Sequence, residues 1–345
     1  RWVSALGSSR KNLDKDPPKV LMAVRPDLVA ELFAPQAMQK LRQFAEVSLA
    51  EEELTQQGLA EIIGDFDAVV TSWGSPMITP ELISKARRLR IICHAAGSIR
   101  PYVCPEAFDA GITVTNAASA IAVSVAEATL CLILNGLRGF HIYDRLLRSG
   151  ETERPSLWPE RELRSRIVGI VGAGEVGRRV IGLVRPFGCR ILVFDPYKSP
   201  KQIHEMGAEP SSLERLFKEC DVISLHAPNI PQNRHMIGRK LIRSMRDGAL
   251  LVNTARGEIV DEEALIDELL DGRIRAAIDV FEKPVSEIAS RLAGCPNVIL
   301  TPHVAGRTID SRKRQGETVV EDLRLFFQGK KPRNLVTKDM LSWMA

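Results

Sequence analysis

A glycine motif between two apolar runs constrains this chain more than any other feature. Residues 172–177 read GAGEVG and directly follow the apolar run IVGIV at 167–171, while a second apolar run, ILVF, ends just before Asp195. The first glycine allows a tight strand-to-helix turn, the second lets backbone approach a pyrophosphate, and the third lets the helix pack closely on the strand. The sequence therefore predicts a dinucleotide site rather than an ordinary βα turn, with its glycines at Gly172, Gly174 and Gly177.

Asp195 predicts which dinucleotide binds. A carboxylate at the end of this strand accepts hydrogen bonds from the adenosine ribose and repels the 2′-phosphate of NADP, which favours NAD. An alternative is that Asp195 opens a turn through Pro196 and Tyr197, and both interpretations can hold together. Lys198 lies nearby and could partly tolerate a phosphate.

Short β-rich runs alternate with amphipathic helical patterns along most of the chain. This alternation predicts the α/β class, with two doubly wound parallel-sheet domains. Strands are predicted at 19–24, 68–71, 90–94, 112–115, 167–171, 191–194, 221–226, 249–253, 275–280 and 297–301. Helices are predicted at 26–33, 51–63, 123–150 and 309–328, and at 211–220 with a capping box of Ser211 and Glu214.

The chain length of 345 residues fits two domains. We expect a substrate domain over 1–120, a nucleotide-binding domain over 121–304, and a return of 305–345 to the substrate domain. The nucleotide-binding domain would then be inserted in the other, and the active site would lie in the interdomain cleft at the carboxyl ends of the strands.

Composition excludes several classes of function. With 47 Lys plus Arg against 43 Asp plus Glu, the net charge is only +4, and no basic run with aromatics predicts a nucleic-acid partner. The six cysteines are scattered without metal-ligand spacing, so we expect no metal and a reduced, buried state in the cytoplasm. The apolar segment 121–137 is predicted to be too short and polar to span a membrane, and 1–18 lacks a signal peptide.

Charged side chains follow three strands of the predicted nucleotide-binding sheet. Arg256 follows one strand, Asp279 ends the next, and His303 follows the last. Arginine suits bidentate binding of a carboxylate, and histidine suits proton exchange near neutral pH. Each alone is better explained as a surface arginine, a turn aspartate or a loop histidine. Their joint placement at one edge of the sheet favours catalysis.

The chain resembles the D-2-hydroxyacid dehydrogenase family over nearly its whole length. The motifs that carry the resemblance are VGIVGAGEVG at 168–177, LHAP at 225–228, LVNTARG at 251–257, VDEEAL at 260–265, IDVF at 278–281 and NVILTPHVAG at 297–306. Looser matches are AGS at 96–98, VTN at 114–116 and VAE at 125–127. The resemblance implies a Rossmann nucleotide-binding domain inserted in a flavodoxin-like substrate domain.

The resemblance also implies an activity and residue roles. The enzyme would interconvert a 2-oxo acid and a D-2-hydroxy acid with NAD(H), Arg256 binding the carboxylate and His303 acting as acid and base. Gly97 and Ser98 would offer backbone amides to that carboxylate, and the protein would be a homodimer. Cofactor contacts are implied for Glu175, Val176, His226, Ala227, Thr254, Ala255 and Asp279.

Two departures from the family pattern stand out. Pro284 occupies the position of the glutamate that usually supports the catalytic histidine, which leaves Glu282, Glu287 or no carboxylate as the partner of His303. The AGS match at 96–98 begins what the resemblance implies is the substrate loop. In this loop, Ile99, Arg100 and Pro101 replace the usual second glycine and acidic residue. Arg100 is predicted to be exposed, with binding of a second acidic group on the substrate as the alternative.

Two other functions stay open from the sequence. One is an NAD-sensing corepressor on the same fold, in which cofactor binding controls contacts with other proteins. The other is oxidation of formate or phosphite.

Overall fold

The chain forms two units, each built around a mainly parallel sheet. The structure, a computed structural model, describes residues 16–152 and 160–344. One unit comprises the described residues up to Ile121 and those from Ile309 onward, and the other comprises Ala122–Thr308. The boundary after Ile121 lies one residue beyond the predicted boundary at 120, and the boundary after Thr308 lies four residues beyond the predicted boundary at 304. The predicted tail at 1–18 lies almost wholly outside the described residues.

The first unit contains β1 to β5, α1 to α5, and a return of the chain. Its elements are β1 Lys19–Ala23, α1 Pro26–Leu32, α2 Pro35–Arg42, β2 Glu46–Leu49, α3 Gln56–Ile62, β3 Ala68–Thr71, α4 Pro80–Lys85, β4 Ile91–His94, α5 Glu106–Asp109 and β5 Thr113–Asn116. The returning part is α14 Ile309–Phe327, β13 Leu335–Val336 and a 3₁₀ turn at Lys338–Ser342.

The sheet of the first unit runs in the order β13-β5-β4-β3-β1-β2, and β13 alone among these described strands is antiparallel. The parallel part, β2-β1-β3-β4-β5, has the flavodoxin-like order. Alternate residues of β1 face opposite cores, with Val20 and Met22 on one side and Leu21 and Ala23 on the other. Helices therefore cover both faces of this sheet, as a parallel sheet requires.

The second unit carries the glycine motif. Its elements are α6 Ala118–Arg138 (most of which belongs here), α7 Phe140–Arg148, β6 Ile167–Val171, α8 Glu175–Val184, β7 Arg190–Phe194, α9 Pro200–Glu205, β8 Glu209–Pro210, α10 Leu213–Glu219, β9 Val222–Leu225, α11 Arg239–Ser244, β10 Leu250–Asn253, α12 Glu262–Leu270, β11 Arg275–Ile278, α13 Val285–Leu292 and β12 Val298–Leu300.

The sheet of the second unit runs in the order β12-β11-β10-β9-β6-β7-β8, and all of its described pairs are parallel. Read from β8, the first six strands follow the Rossmann order 3-2-1-4-5-6. The predicted class, two doubly wound parallel-sheet α/β domains, is confirmed. The two-residue strand β8 was missed, because a pair containing Pro210 gives no apolar run.

Three predicted helices are wrong in detail. The helix predicted at 51–63 begins only at Gln56, after its cap residue Thr55. The single helix at 123–150 is in fact two, because Gly139 adopts a left-handed conformation (φ 71°) between α6 and α7. The cap of α10 is Ser212, whose hydroxyl accepts the Arg215 N–H at 3.2 Å, rather than Ser211. Two adjacent serines made the cap ambiguous in the sequence.

Helix α6 corrects the prediction about membrane length. Its 21 residues are long and apolar enough to cross a membrane by length and composition alone, while 56% of its most apolar window is buried. Ala126, Leu132, Ile133 and Leu137 lie in a hydrophobic core of the second unit. A core helix of this kind meets the same test, so packing accounts for its composition.

The cysteines are all free thiols. Cys93, Cys104 and Cys220 are buried as predicted, and burial raises the pKa of Cys220 to about 12. The prediction is wrong for Cys131, which is exposed on α6. Among the described residues no cluster of His, Cys, Asp and Glu could hold a metal ion.

Candidate active site

The glycine motif forms a tight turn between β6 and α8. Gly172 has a φ of 91°, and a Cβ there would lie 2.9 Å from the His226 carbonyl carbon and oxygen. A Cβ at Gly177 would lie 2.0 Å from the Gly172 oxygen, so two of the glycines are required by close packing. A Cβ at Gly174 would meet no atom within 4 Å. The open space beside Gly174 leaves room for a ligand against the backbone.

Helix α8 begins at this open space without a side-chain cap. Gly174 is its N-cap residue and makes no side-chain hydrogen bond to the first turn. The Glu175 carboxylate pairs with Arg178 at 2.5 Å and Arg179 at 2.6 Å, three and four residues further along the helix. The amides of Glu175 and Val176 therefore begin a ten-residue helix whose N-terminus suits an anionic pyrophosphate. The motif fits a dinucleotide.

Asp195 lies at the end of β7 and contacts the same turn. Its Oδ2 accepts the Ala173 N–H at 2.7 Å, and its Oδ1 accepts the Tyr197 N–H at 2.8 Å. The second bond is the predicted turn after Asp195, and the first fixes the carboxylate beside the glycine motif. Each carboxylate oxygen retains lone pairs for a ribose hydroxyl.

The loops after β9 and β10 hold the other predicted cofactor residues. His226 Nε2 lies 2.8 Å from the Ser224 hydroxyl, burial lowers its pKa to about 3, and the adjacent Ala227 is buried. The imidazole of His226 is therefore neutral at physiological pH. In the next loop, the hydroxyls of Thr254 and Thr129 lie 2.8 Å apart.

Arg256 follows β10 in a turn that Asn253 stabilises. The Asn253 side chain donates to the Arg256 carbonyl at 2.9 Å and accepts the Ala255 N–H at 3.1 Å. The guanidinium donates to the Ala255 carbonyl at 2.7 Å, and no carboxylate in the described residues forms an ion pair with it. Burial lowers the pKa of Arg256, and the charge of Glu258 opposes that shift. An arginine remains protonated under these conditions.

Asp279 organises the loop that carries His303. Asp279 is 1% exposed, and its carboxylate accepts the Thr301 hydroxyl at 2.6 Å and the Val304 and Ala305 amides at 2.9 and 3.0 Å. The His303 N–H donates to the Asp279 carbonyl at 2.9 Å, and His303 has a left-handed φ of 55°. That conformation is uncommon for a residue with a side chain, and these contacts hold it.

Arg256 and His303 line the same surface pocket. Since β10, β11 and β12 are neighbours, the residues at their carboxyl ends meet at one edge of the sheet. The pocket is lined by Arg256, Gly257, Glu258, Lys283, Pro302 and His303, among others. The structure thus brings together a guanidinium and an imidazole, the two groups that the sequence singled out. We call this the Arg256 pocket.

Glu282 binds residues other than His303. Its carboxylate lies 2.7 Å from His235 Nε2 and also contacts Arg234. Glu287 lies 3.7 Å from Lys283. In the described part of the chain, neither carboxylate forms a hydrogen bond or ion pair with the His303 imidazole. Of the options left open by the sequence, this geometry matches a histidine without a carboxylate partner.

The predicted substrate loop lies in the first unit, after β4. The Asn116 side chain donates to the Gly97 carbonyl at 3.0 Å, and Gly97 and Ser98 are both partly exposed. Arg100 was predicted to be exposed, and this is wrong. Its side chain is partly buried and donates to the carbonyl oxygens of Met344, at 3.0 Å, and Leu341. Arg100 and its two partners are 241 or more residues apart in the sequence, so no local pattern predicts that Arg100 is partly buried.

Several residues that stabilise the loops of the site were not predicted from the sequence. Asn253 and Asn116 each end a strand and stabilise a loop by side-chain bonds to backbone. Glu262 accepts the amides of Glu282 and Lys283 at 3.1 and 3.2 Å and fixes the backbone before Pro284. An asparagine at the end of a strand is typical of such turns, and that signal was present at Asn253 and Asn116.

Comparisons with known proteins identify the family. Residues 130–305 match the family described as D-isomer specific 2-hydroxyacid dehydrogenase, NAD binding domain. The D-3-phosphoglycerate dehydrogenase of Methanocaldococcus jannaschii is 36% identical over 312 residues, covering 90% of this chain and 59% of that protein. The hydroxypyruvate reductase of Thermotoga maritima is 35% identical over 291 residues, covering 84% of this chain and 94% of that protein.

A solved structure agrees with the sequence relatives. The D-isomer specific 2-hydroxyacid dehydrogenase from Lactobacillus delbrueckii ssp. bulgaricus, in its NAD-complexed form, superposes with a TM-score of 0.78 at 25% identity. The match covers 92% of this chain and all of that one. The chain belongs to the D-isomer specific 2-hydroxyacid dehydrogenase family. It is an NAD-dependent oxidoreductase that interconverts 2-oxo and D-2-hydroxy acids, and these relatives give no support to a corepressor.

Proposed function

We propose that the enzyme reduces a small 2-oxo acid in the Arg256 pocket, with Arg256 binding the carboxylate and His303 exchanging the proton. The observation that carries this proposal is that the two groups line one pocket, where no described carboxylate forms an ion pair with Arg256. A guanidinium already paired with a side chain would gain less from a substrate carboxylate. Partial burial strengthens its attraction for that anion.

Arg256, His303 and the cofactor have separate roles in the proposed reduction. The bound nicotinamide supplies the hydride that reaches C2 of the 2-oxo acid. Arg256 orients the acid by a bidentate contact and stabilises negative charge on the carbonyl oxygen. Protonated His303 gives its proton to that oxygen, which completes the hydroxyl, and takes the proton back in the reverse direction.

The second unit supplies the proposed cofactor contacts. The glycine turn and the start of α8 bind the pyrophosphate, Asp195 binds the adenosine ribose and selects NAD over NADP, and Asp279 contacts the nicotinamide side. The proposed set is Gly172, Gly174, Glu175, Val176, Gly177, Asp195, His226, Ala227, Thr254, Ala255 and Asp279. In the first unit, proposed as the substrate domain, Gly97 and Ser98 offer amides to the substrate carboxylate.

We place hydroxypyruvate and glyoxylate first among the substrates, because one relative is named hydroxypyruvate reductase and glyoxylate is a smaller analogue. The test is NADH oxidation with glyoxylate, hydroxypyruvate, phenylpyruvate and 2-oxoglutarate. We expect the highest kcat/KM with one of the first two acids. Tight NADH binding without turnover of any acid would favour the corepressor instead.

We also propose that the protein is a cytoplasmic homodimer that associates through α7. None of the described residues of α7 is buried, and Phe140 and Leu147 are 58% and 63% exposed. Exposed apolar side chains on one helix suit a second copy of the chain, which hides them from water.

The proposed cytoplasmic location rests on the six free thiols, which fit a reducing compartment. The small net charge does not favour a nucleic acid as a partner.

A further inference from the structure

A segment near residue 340 packs beside the substrate loop within the first unit. We define the 338–344 segment as the turn Lys338–Ser342 and the two residues after it. Arg100 donates its Nε to the Met344 carbonyl at 3.0 Å and its Nη2 to the Leu341 carbonyl. The Arg100 guanidinium therefore links the substrate loop to the 338–344 segment.

The 338–344 segment is itself held in place. Lys338 forms an ion pair with Asp109 at 2.7 Å, at the end of α5. The side chains of Met340, Leu341 and Met344 pack against one hydrophobic core of the first unit. Because the segment is anchored by charge and by packing, its carbonyl oxygens are fixed acceptors for Arg100.

The substrate loop is fixed on both sides of Gly97 and Ser98. On one side, Asn116 binds the Gly97 carbonyl at 3.0 Å. On the other, Ile99 is fully buried in the same core, and its carbonyl accepts the amides of residues 102 and 103 at 2.9 Å. Besides the hydrogen bond from the Asn116 side chain, the two made by Arg100 are the only side-chain hydrogen bonds described for residues 97–100.

We propose that Arg100 is a positioning residue, which with the 338–344 segment holds the Gly97 and Ser98 amides in place for the substrate carboxylate. This inference rests on the role of those amides in the proposed function. Both of the described Arg100 bonds go to backbone carbonyls, so its guanidinium serves the loop rather than a second acidic group on the substrate. Hydrogen bonds from a charged donor are among the stronger ones in proteins.

The physical consequence is a specific kinetic change. A loop that is ordered before binding spares the substrate the entropy of ordering it. The carboxylate is bound in both the ground state and the transition state, so a looser loop weakens both equally. Loss of such uniform binding raises KM for the acid and leaves kcat nearly unchanged.

The experiment compares Arg100→Met with Arg88→Met, an exposed arginine of the same unit that pairs with Asp67. Methionine keeps much of the length of the side chain and removes every donor. We expect Arg100→Met to raise KM for the best 2-oxo acid by about 3- to 10-fold, the range for one to two lost hydrogen bonds. Its kcat and its KM for NADH should change less than about twofold, and Arg100→Lys, with a donor restored, should lie between.

Hydrogen exchange gives a readout that does not depend on turnover. The amides of residues 97–100, 102 and 103 should exchange faster in Arg100→Met and in Leu341→Asp, which places a charge on the packed face of the segment, and not in Arg88→Met. Unchanged exchange, or equal rises in the KM values for acid and NADH, would overturn the proposal. If the parent protein reduces no 2-oxo acid, the proposed function fails, while the exchange result still decides whether Arg100 orders the loop.

Discussion

Arg256 and His303 are positioned mainly through their backbones. Asn253 binds the Arg256 carbonyl, and Asp279 binds the loop that holds His303 in a left-handed conformation. Neither reactive side chain has a carboxylate partner among the described residues, so each has capacity for a substrate. The pocket therefore depends on residues that stabilise the backbone of its loops.

Replacing His303 and Glu282 separates catalysis from support. We expect His303→Ala to abolish nearly all reduction, because an imidazole is the side chain best suited to exchange a proton near neutral pH. Glu282→Gln should change kcat/KM by about tenfold or less, since Glu282 binds Arg234 and His235 rather than His303. Steady-state rates with NADH and the best acid measure both. A near-complete loss in Glu282→Gln would show that this carboxylate acts on His303 after all.

Glu282 should instead affect stability in a pH-dependent way. The hydrogen bond to His235 lowers the pKa of Glu282 below its ordinary value of 4.5. A carboxylate with a lowered pKa stabilises the fold above the unfolded value, and this contribution disappears as the pH falls through the folded value. In urea unfolding, the parent and Glu282→Gln should therefore differ at pH 7 and converge as the pH falls below 4.5. A difference that persists unchanged at acidic pH would show that the charge of Glu282 does not stabilise the fold.

Asp195→Asn tests cofactor selection without removing the acceptor that binds the glycine turn. The amide oxygen can still accept the Ala173 N–H, but the negative charge is gone. We expect the ratio of kcat/KM for NADPH to that for NADH to rise about tenfold, which corresponds to about 1.4 kcal/mol of repulsion. Asp247→Asn, at an exposed aspartate of the same unit outside α7, is the control. If the ratio stays constant, Asp195 does not select the cofactor.

The sequence predicted the side chains that we propose as reactive, but not the residues that support them. Arg256, Asp279 and His303 come at or just after the ends of apolar strand runs, and the carboxyl ends of neighbouring parallel strands meet at one edge of a sheet. The bonds from Asp279 to the loop after β12, and from Arg100 to Leu341, join positions far apart in sequence. No local pattern predicts such contacts, because they form only when the elements have packed.

At the scale of elements, apolar runs predicted strands well and helix limits less well. The predicted strand at 68–71 agrees in both limits with β3, where all four residues are buried. The break between α6 and α7 was missed because helical spacing continues through Gly139, whose left-handed backbone ends α6. Buried strands carry a strong signal, whereas a single glycine in a helical pattern does not.

Two helical glycines give opposite predictions. In α14, a Cβ at Gly316 would lie 1.9 Å from the Leu32 carbonyl oxygen of α1, whereas in α8 a Cβ at Gly182 would meet nothing within 4 Å. We expect Gly316→Ala to lower the free energy of unfolding by about 1 to 3 kcal/mol through overpacking. Gly182→Ala should raise it by about 0.5 to 1 kcal/mol through helix propensity. Denaturant unfolding measures both, and a stable Gly316→Ala would contradict the close approach of α1 and α14.

At the scale of the whole molecule, the chain leaves the first unit near Ile121 and rejoins it at Ile309. Helix α7 belongs to the second unit and exposes Phe140 and Leu147. We expect the parent to sediment as a dimer and Leu147→Asp to shift it toward the monomer, because a charge in an apolar interface lacks a partner. The control is Leu270→Asp, because Leu270 belongs to the same unit, is also exposed (54%) and lies outside α7. A parent that sediments as a monomer would refute the dimer.

The central claim is that Arg256 binds the carboxylate of a 2-oxo acid during NADH-dependent reduction. The most direct test is kcat/KM for the best acid in the parent, in Arg256→Lys and in Arg239→Lys, an exposed arginine paired with Asp267. Lysine cannot make the bidentate contact, so we predict a loss of about 2 to 4 kcal/mol of transition-state stabilisation in Arg256→Lys alone. Near-normal turnover in Arg256→Lys, with the control unchanged, would contradict the account.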